Sequence, residues 1–137
     1  MSKPNLLTKG VAQAGHMEWS DVSFTIGAEA ANVINVAIQL KNGVGGNRSE
    51  RTAVFAYLSD DANGDSIAGT APDGNVAIGT DGVLIPVVAD KAFYLISESD
   101  GDIDLDIGLT TGADTWYLVV VLPNGDLKVS GAITFAA

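Results

Sequence analysis

An antiparallel β-sandwich is the fold class that this sequence predicts, and three observations predict it. Short runs of Val, Ile, Phe, Thr and Tyr alternate with Asn-Gly, Asp-Gly and Gly-Gly turn pairs, and glycine accounts for 16 of 137 residues. Apolar and polar residues alternate along several of these runs, the period of a strand with one buried and one wet face. No window of helical length carries a 3.6-residue period. Jelly-roll and Ig-like strand orders both remain open, because short strands at even spacing suit either.

Nine strands are expected. The first is Val22–Ala28. After it, Ala28–Ala31 could form a turn of helix, but Val33, Ile34, Val36 and Ile38 argue against extending it and open the second strand, Asn32–Lys41. There Ile34, Val36, Ile38 and Leu40 share one face, with Asn35, Gln39 and Lys41 on the other. Thr52–Ser59, Asn75–Ile78, Val83–Val88 and Ala92–Ser97 follow between turn signals. In Asp102–Leu109 the apolar Ile103, Leu105 and Ile107 oppose Asp102, Asp104 and Asp106. Thr115–Leu122 is apolar on both faces, so it should be a central strand covered on both sides, or one face should meet a partner. Leu127–Phe135 returns as its hairpin mate, with Leu127, Val129, Gly131, Ile133 and Phe135 in alternation. Asn124-Gly125 predicts a type I′ turn between them. Residues 1–20 have no clean period and read as an extended N-terminal arm ahead of a β-sandwich domain at 21–137.

Composition excludes much chemistry. The chain has no cysteine, which removes a disulfide framework, a thiol nucleophile and a zinc–thiolate site and fits a reducing compartment. No apolar run approaches the ~20 residues of a membrane-spanning helix. The first twenty residues lack the continuous apolar segment of a secretory signal. Net charge is −10, with residues 1–57 at +1 and residues 58–137 at −11. Such a surface repels phosphate backbones, so neither nucleic acid nor membrane is an expected partner.

Several residues suggest chemistry and are weighed against simpler roles. Asp100, Asp102 and Asp104 form a weak candidate cation site, since alternate strand carboxylates about 6.6–6.8 Å apart could bracket Ca²⁺. A solvated strand face that resists edge pairing is the favoured alternative. Asp61–Asp65 opens like a calcium loop, but Ser66 replaces its glycine and Pro72 its closing glutamate, which favours an Asx-rich turn. His16 is the sole histidine and lacks partners for a metal site or a triad. Gly43–Gly46 precedes no helix and is a loop, not a phosphate cradle. Arg48 and Arg51 beside Glu50 make the densest basic spot, suited to loop solubility or to docking on an acidic surface. Trp19, Trp116, Tyr57, Tyr94 and Tyr117 could line a sugar platform, although core packing is the commoner fate of strand aromatics. No nucleophile–base pair, metal cluster or cofactor loop emerges. The expectation is therefore a protein that is not an enzyme and needs no cofactor.

The stretches RTAVFAYLSDDANGD, GTDGVLIPVVADKAFYLISESDGDIDLDIGL and TWYLVVVLPNGDLKVSGAITF together resemble a small β-domain of tailed-bacteriophage virion proteins, found as capsid decoration (cement) proteins and head-fibre modules. The resemblance spans roughly residues 33–135, and its most specific parts are Ala92–Ile107 and Tyr117–Phe135. It implies a structural protein made in the host cytoplasm that forms a dimer or trimer and binds the major capsid protein on the outer surface of an icosahedral shell. An alternative is a glycan- or cell-surface-binding Ig-like module displayed on a phage particle.

The arm lies outside the resemblance, yet it carries Leu6, Leu7, Val11, Met17 and Trp19, with Lys3 and Lys9. With Arg48 and Arg51, these apolar residues are the expected capsid or subunit contacts. Such a segment gains order when it buries apolar area against a neighbour. Deleting residues 1–18 should therefore leave the melting transition nearly intact and weaken particle binding or oligomerisation by about tenfold or more, ~1.4 kcal/mol. Sizing chromatography followed by mixing with undecorated particles measures both. Full affinity after deletion would make the arm a bystander, and failure to fold would move the domain boundary.

Overall fold

The computed structural model describes residues 21–136. Ten strands run through them: β1 (Val22–Ile26), β2 (Val33–Leu40), β3 (Ala53–Ser59), β4 (Val76–Ile78), β5 (Val83–Val88), β6 (Ala92–Ile96), β7 (Asp102–Gly108), β8 (Asp114–Val121), β9 (Leu127–Val129) and β10 (Ile133–Phe135). There is no helix among the described residues. The expected arm, with Leu6, Leu7, Val11, His16, Met17 and Trp19, lies outside them.

Two antiparallel sheets form a sandwich. The first has the order β1-β2-β7-β4; the second has the order β10-β8-β3-β6-β5, with β9 also paired to β8. The alternating residues close the space between them. Ile34, Val36, Ile38 and Leu40 of β2 and Ile103, Leu105 and Ile107 of β7 face Val54, Ala56 and Leu58 of β3, Phe93 and Leu95 of β6, and Trp116, Leu118, Val120 and Leu122 in and just beyond β8, all in one buried cluster. Trp116 is fully buried, packs edge-on against Phe135 and donates its indole N–H to the Thr70 carbonyl at 3.1 Å. Its core role removes it from any ligand platform.

The turns depart from expectation in instructive ways. Ala31 and Asn32 both take positive φ, 52° and 66°, between the bridged pair Ala30 and Val33. That is the backbone of a tight primed turn, not a turn of helix. The turn after β8 is not type I′. Asn124 does not take positive φ, Gly125 does (92°), and the Gly125 N–H bonds the Leu122 carbonyl at 2.8 Å. Pro123, whose ring presets φ for the first corner of a type I turn, forces this three-residue loop closed by a left-handed glycine.

The single return strand expected over Leu127–Phe135 is two strands. Val129 pairs with Val119, but Ile133 pairs with Trp116, so one extra residue lies between them. Ser130 causes the break. It donates its backbone N–H to the Leu118 carbonyl (2.9 Å), while its Oγ accepts the Leu118 N–H (2.9 Å) and donates to the Gly131 carbonyl (2.8 Å). The side chain replaces a backbone partner, which is how a bulge is held. The slip reverses the faces: Leu127 and Val129 sit on the outside of the sheet, and Ile133 and Phe135 sit inside.

One close approach fixes the sheet edge at β4. Gly74 and Gly108 exchange backbone contact, and a Cβ on Gly108 would meet the Gly74 carbonyl oxygen at 2.4 Å. Neither position has room for a side chain. In the core, Leu118→Ala should cost about 2–4 kcal/mol through lost burial and the cavity left behind. Leu127→Ala, on the half-exposed outer face, should change stability by no more than about 0.5 kcal/mol. Paired denaturant titrations measure the contrast, and equal losses would contradict this assignment of faces.

Candidate interaction face

The outer faces of the two sheets have opposite chemistry. On the first sheet the outward rows are Ser23–Gln39–Asp102, Thr25–Ala37–Asp104 and Asn35–Asp106–Ala77, read across paired strands. That face is polar and acidic. On the second sheet the pairing aligns Ile85, Tyr94, Phe55, Val121 and Leu127 in one row across β5, β6, β3, β8 and β9. The neighbouring rows are Val83–Ile96–Ala53 and Val88–Ala92–Tyr57–Val119–Val129. None of these residues is charged. Ile85 and Tyr94 are each 49% exposed and Leu127 is 45% exposed. A contiguous apolar patch of this kind, away from the core, marks an interaction site.

One end of the patch is already covered. The Tyr57 hydroxyl donates to the Gly64 carbonyl at 2.6 Å, which draws the 60–65 loop over the sheet. Gly64 takes φ +75°, and a Cβ there would come within 3.0 Å of Val119. Val119 is therefore fully buried although it points outward. Burial, and second the Asp65 charge, raise the Tyr57 hydroxyl above its ordinary pKa. The Asp61–Asp65 segment is an Asx turn, with Asp61 Oδ1 accepting the Asn63 N–H at 2.7 Å. Its role is to cover an apolar surface.

The aromatic residues do not make a flat platform. Phe55 and Tyr94 meet edge to face at 5.4 Å and 69°, and Phe55 and Tyr57 tilt by 40° at 6.3 Å. Tyr117 lies farther along β8, opposite Ser59. Phe55 and Tyr94 fill space beside one another instead of presenting coplanar rings to a sugar.

The basic spot separates on folding. Arg48 is 7% exposed, its Nη2 is 3.4 Å from Glu50, and its backbone N–H bonds the Leu40 carbonyl at 2.9 Å. Its Cβ stands 2.9 Å from where a side chain on Gly101 would begin. It plugs the end of the sandwich and is not available as a docking residue, which corrects the sequence expectation. Arg51 remains on the surface, 3.8 Å from Glu98, beside the Val83–Ile96–Ala53 end of the apolar face. The 43–46 loop is closed on Asn42, whose Oδ1 accepts the Val44 and Gly46 N–H groups at 3.0 Å each.

On the acidic strand the candidate carboxylates have separate surroundings. No group of three or more His, Cys, Asp or Glu among the described residues is arranged to hold a metal ion. Asp104 is committed to a turn. Its Oδ1 accepts the Thr80 and Asp81 N–H groups at 2.7 Å each, and its Oδ2 accepts the Thr80 hydroxyl at 3.1 Å and the Asn35 amide at 3.3 Å. Burial works to raise the Asp104 carboxyl, but the Asp81 and Thr80 hydrogen bonds outweigh it and hold the pKa below the ordinary value. Asp102 goes the other way: burial first, then the charges of Asp81 and Asp100, push its carboxyl up. Two carboxylates on one strand face thus have unlike roles, one an anchor and one a member of a repulsive cluster with Asp81.

No known protein family, characterised protein or solved structure matches this chain. The residues that sequence reasoning missed are Phe55, Val83, Ile85 and Leu127, whereas Val121 lies on the strand whose two apolar faces already suggested a partner. The run Val83–Val88, VLIPVV, was a visible signal, because a strand without polar residues has no natural wet face.

The two aspartates give opposite pH behaviour. A lowered folded pKa stabilises above the ordinary carboxylate value, near 3.9, and that contribution disappears as pH falls through the lowered value. Asp104→Asn should therefore cost about 1–3 kcal/mol at neutral pH, with the loss shrinking in acid. A raised folded pKa does the reverse. Its cost is absent below the ordinary value and full above the raised one, so Asp102→Asn should raise the melting temperature at neutral pH and lose that advantage below about pH 4. Melting curves across pH check both signs.

Proposed function

We propose that this chain is a structural virion protein that binds the outer surface of an icosahedral phage shell and stabilises it. The observation that carries the reading is the bare apolar face of the second sheet, backed by a sandwich whose other face is acidic and wet. A side presented to protein and a side presented to water suit a molecule whose work is done through an interface. The motifs at Ala92–Ile107 and Tyr117–Phe135 support it as well. They build β6, β7 and the β8–β9–β10 unit, the parts of the chain in which the virion resemblance is most specific.

Strand connectivity favours the Ig-like alternative over the jelly-roll one. β2 pairs with β7, β3 pairs with both β6 and β8, and β4 pairs with β7. The orders β1-β2-β7-β4 and β10-β8-β3 correspond to the A-B-E-D and G-F-C sheets of an Ig-like sandwich, with β6 and β5 added beside β3. A sandwich of this kind hosts many functions, so the fold by itself does not assign one. The tilted rings of Phe55, Tyr57 and Tyr94 weigh against the glycan-binding alternative.

The test is to mix the purified full chain with undecorated phage shells, pellet the shells and measure the bound stoichiometry and the shell melting temperature. Saturable binding in many copies per shell with a raised shell melting temperature is the expected result, since a ligand that prefers the intact state stabilises it by mass action. No binding to shells together with selective retention on a glycan array would replace this reading with the other.

A further inference from the structure

We infer that the apolar face of the second sheet is where two copies of this chain pack back to back. The inference rests on the reading of an assembling structural protein and names the partner of that face. Three observations select a second copy. The first is charge placement. The whole chain carries −10, so two copies repel wherever their acidic surfaces meet. The Ile85–Tyr94–Phe55–Val121–Leu127 row and the rows beside it contain no charge, while Asp102, Asp104 and Asp106 lie on the opposite sheet. Packed through this face, the two acidic sheets become the outer layers of a four-sheet stack, about 30 Å apart at ~10 Å per layer. That is about three Debye lengths at 0.1 M salt.

The second observation is area. Without the covered Ala92–Tyr57–Val119 stretch, about ten positions at ~4.8 Å by ~6.7 Å span roughly 320 Å² per copy, which is in the range of weak, transient contacts. A face of this size suits a weak, reversible dimer and is too small for an obligate one. The third is that the neighbouring edge is blunted. β5 carries Pro86, which has no N–H, and its register slips between Pro86 and Val88. Strand addition at that edge is disfavoured, so a second copy is seated on the face and not in line with the sheet.

The experiment is sedimentation velocity on the full chain over about a hundredfold range of concentration, at about 0.02 M and about 0.3 M salt. A monomer–dimer equilibrium that tightens with salt is expected, because salt screens the repulsion and leaves the apolar contact. Ile85→Lys and Tyr94→Glu should each weaken dimerisation by tenfold or more, while Thr25→Lys on the acidic sheet should not. The lysine variants change net charge equally, so position alone separates them, and circular dichroism confirms that each variant is folded. A photo-crosslinking residue at position 94 should capture a β5, β6, β3, β8 or β9 peptide of a second copy.

A chain that stays monomeric at every concentration overturns the inference. So does a dimer that salt weakens, a dimer indifferent to Ile85→Lys and Tyr94→Glu, or a crosslink into residues 1–20 of the same chain. Shell binding is scored on the same variants. A monomer that still decorates shells would defeat this inference alone, whereas a dimer through this face that never binds a shell would defeat the virion reading alone.

Discussion

The pairing of β3 with β8 is the constraint on which the rest of the domain depends. Phe55 to Ser59 run against Val121 to Tyr117, and both strands are apolar on both faces over most of that length. Inward, Val54, Ala56, Leu58, Trp116, Leu118 and Val120 complete the core against β2 and β7. Outward, Phe55, Tyr57, Val119 and Val121 form the centre of the bare face. Because the side-chain period is two, one register decides both surfaces at once, and a slip of a single residue would exchange them. The bulge at Ser130 shows the same rule at small scale. One extra residue turns Leu127 and Val129 outward while it keeps Ile133 and Phe135 in the core.

Much of the fold was legible because it is written in local alternation. The period-two runs in β2 and β7 carry their own faces, and glycine-rich turns mark the boundaries. The double-sided apolarity of β8 correctly announced a central strand. What was not legible depends on groups distant in sequence or on one residue's geometry. Asn124-Gly125 looked like a type I′ turn until Pro123 was counted as part of it. The Ser130 bulge needs the Leu118 N–H across the strand, which no window around Ser130 contains. Arg48 and Arg51 looked alike beside Glu50, yet β2 and the Gly101 turn bury the first and leave the second outside.

The site was harder to read than the fold for the same reason. The apolar row takes one residue from each of five strands, and β3, far from the others in the chain, joins the β5–β6 and β8–β9 hairpins. Only the register brings Ile85 beside Tyr94 and Val121 beside Leu127. The acidic run had the opposite problem. Asp100, Asp102 and Asp104 are close in sequence and suggested a shared ligand, but Asp104 is occupied by the Thr80–Asp81 turn and Asp102 is set against Asp81. Proximity in sequence overstated one site and concealed the other. What results is a body whose two broad surfaces differ in kind, one able to exclude water and one able to keep the chain dispersed.

The long-range connectivity also governs how the chain reaches its native state. Ile34 waits for Ile107, and Ala56 waits for Val120. No sheet can close until segments far apart in the chain have met, so long loops must be ordered before the core repays their entropy. During synthesis β3 emerges well before β8 exists, with Val54, Phe55, Ala56, Tyr57 and Leu58 unprotected on both sides. Topology of this kind folds in milliseconds to seconds, not microseconds. The surplus of acid in residues 58–137 then acts before the fold is complete. It holds crowded nascent chains apart while their apolar strands are still without partners.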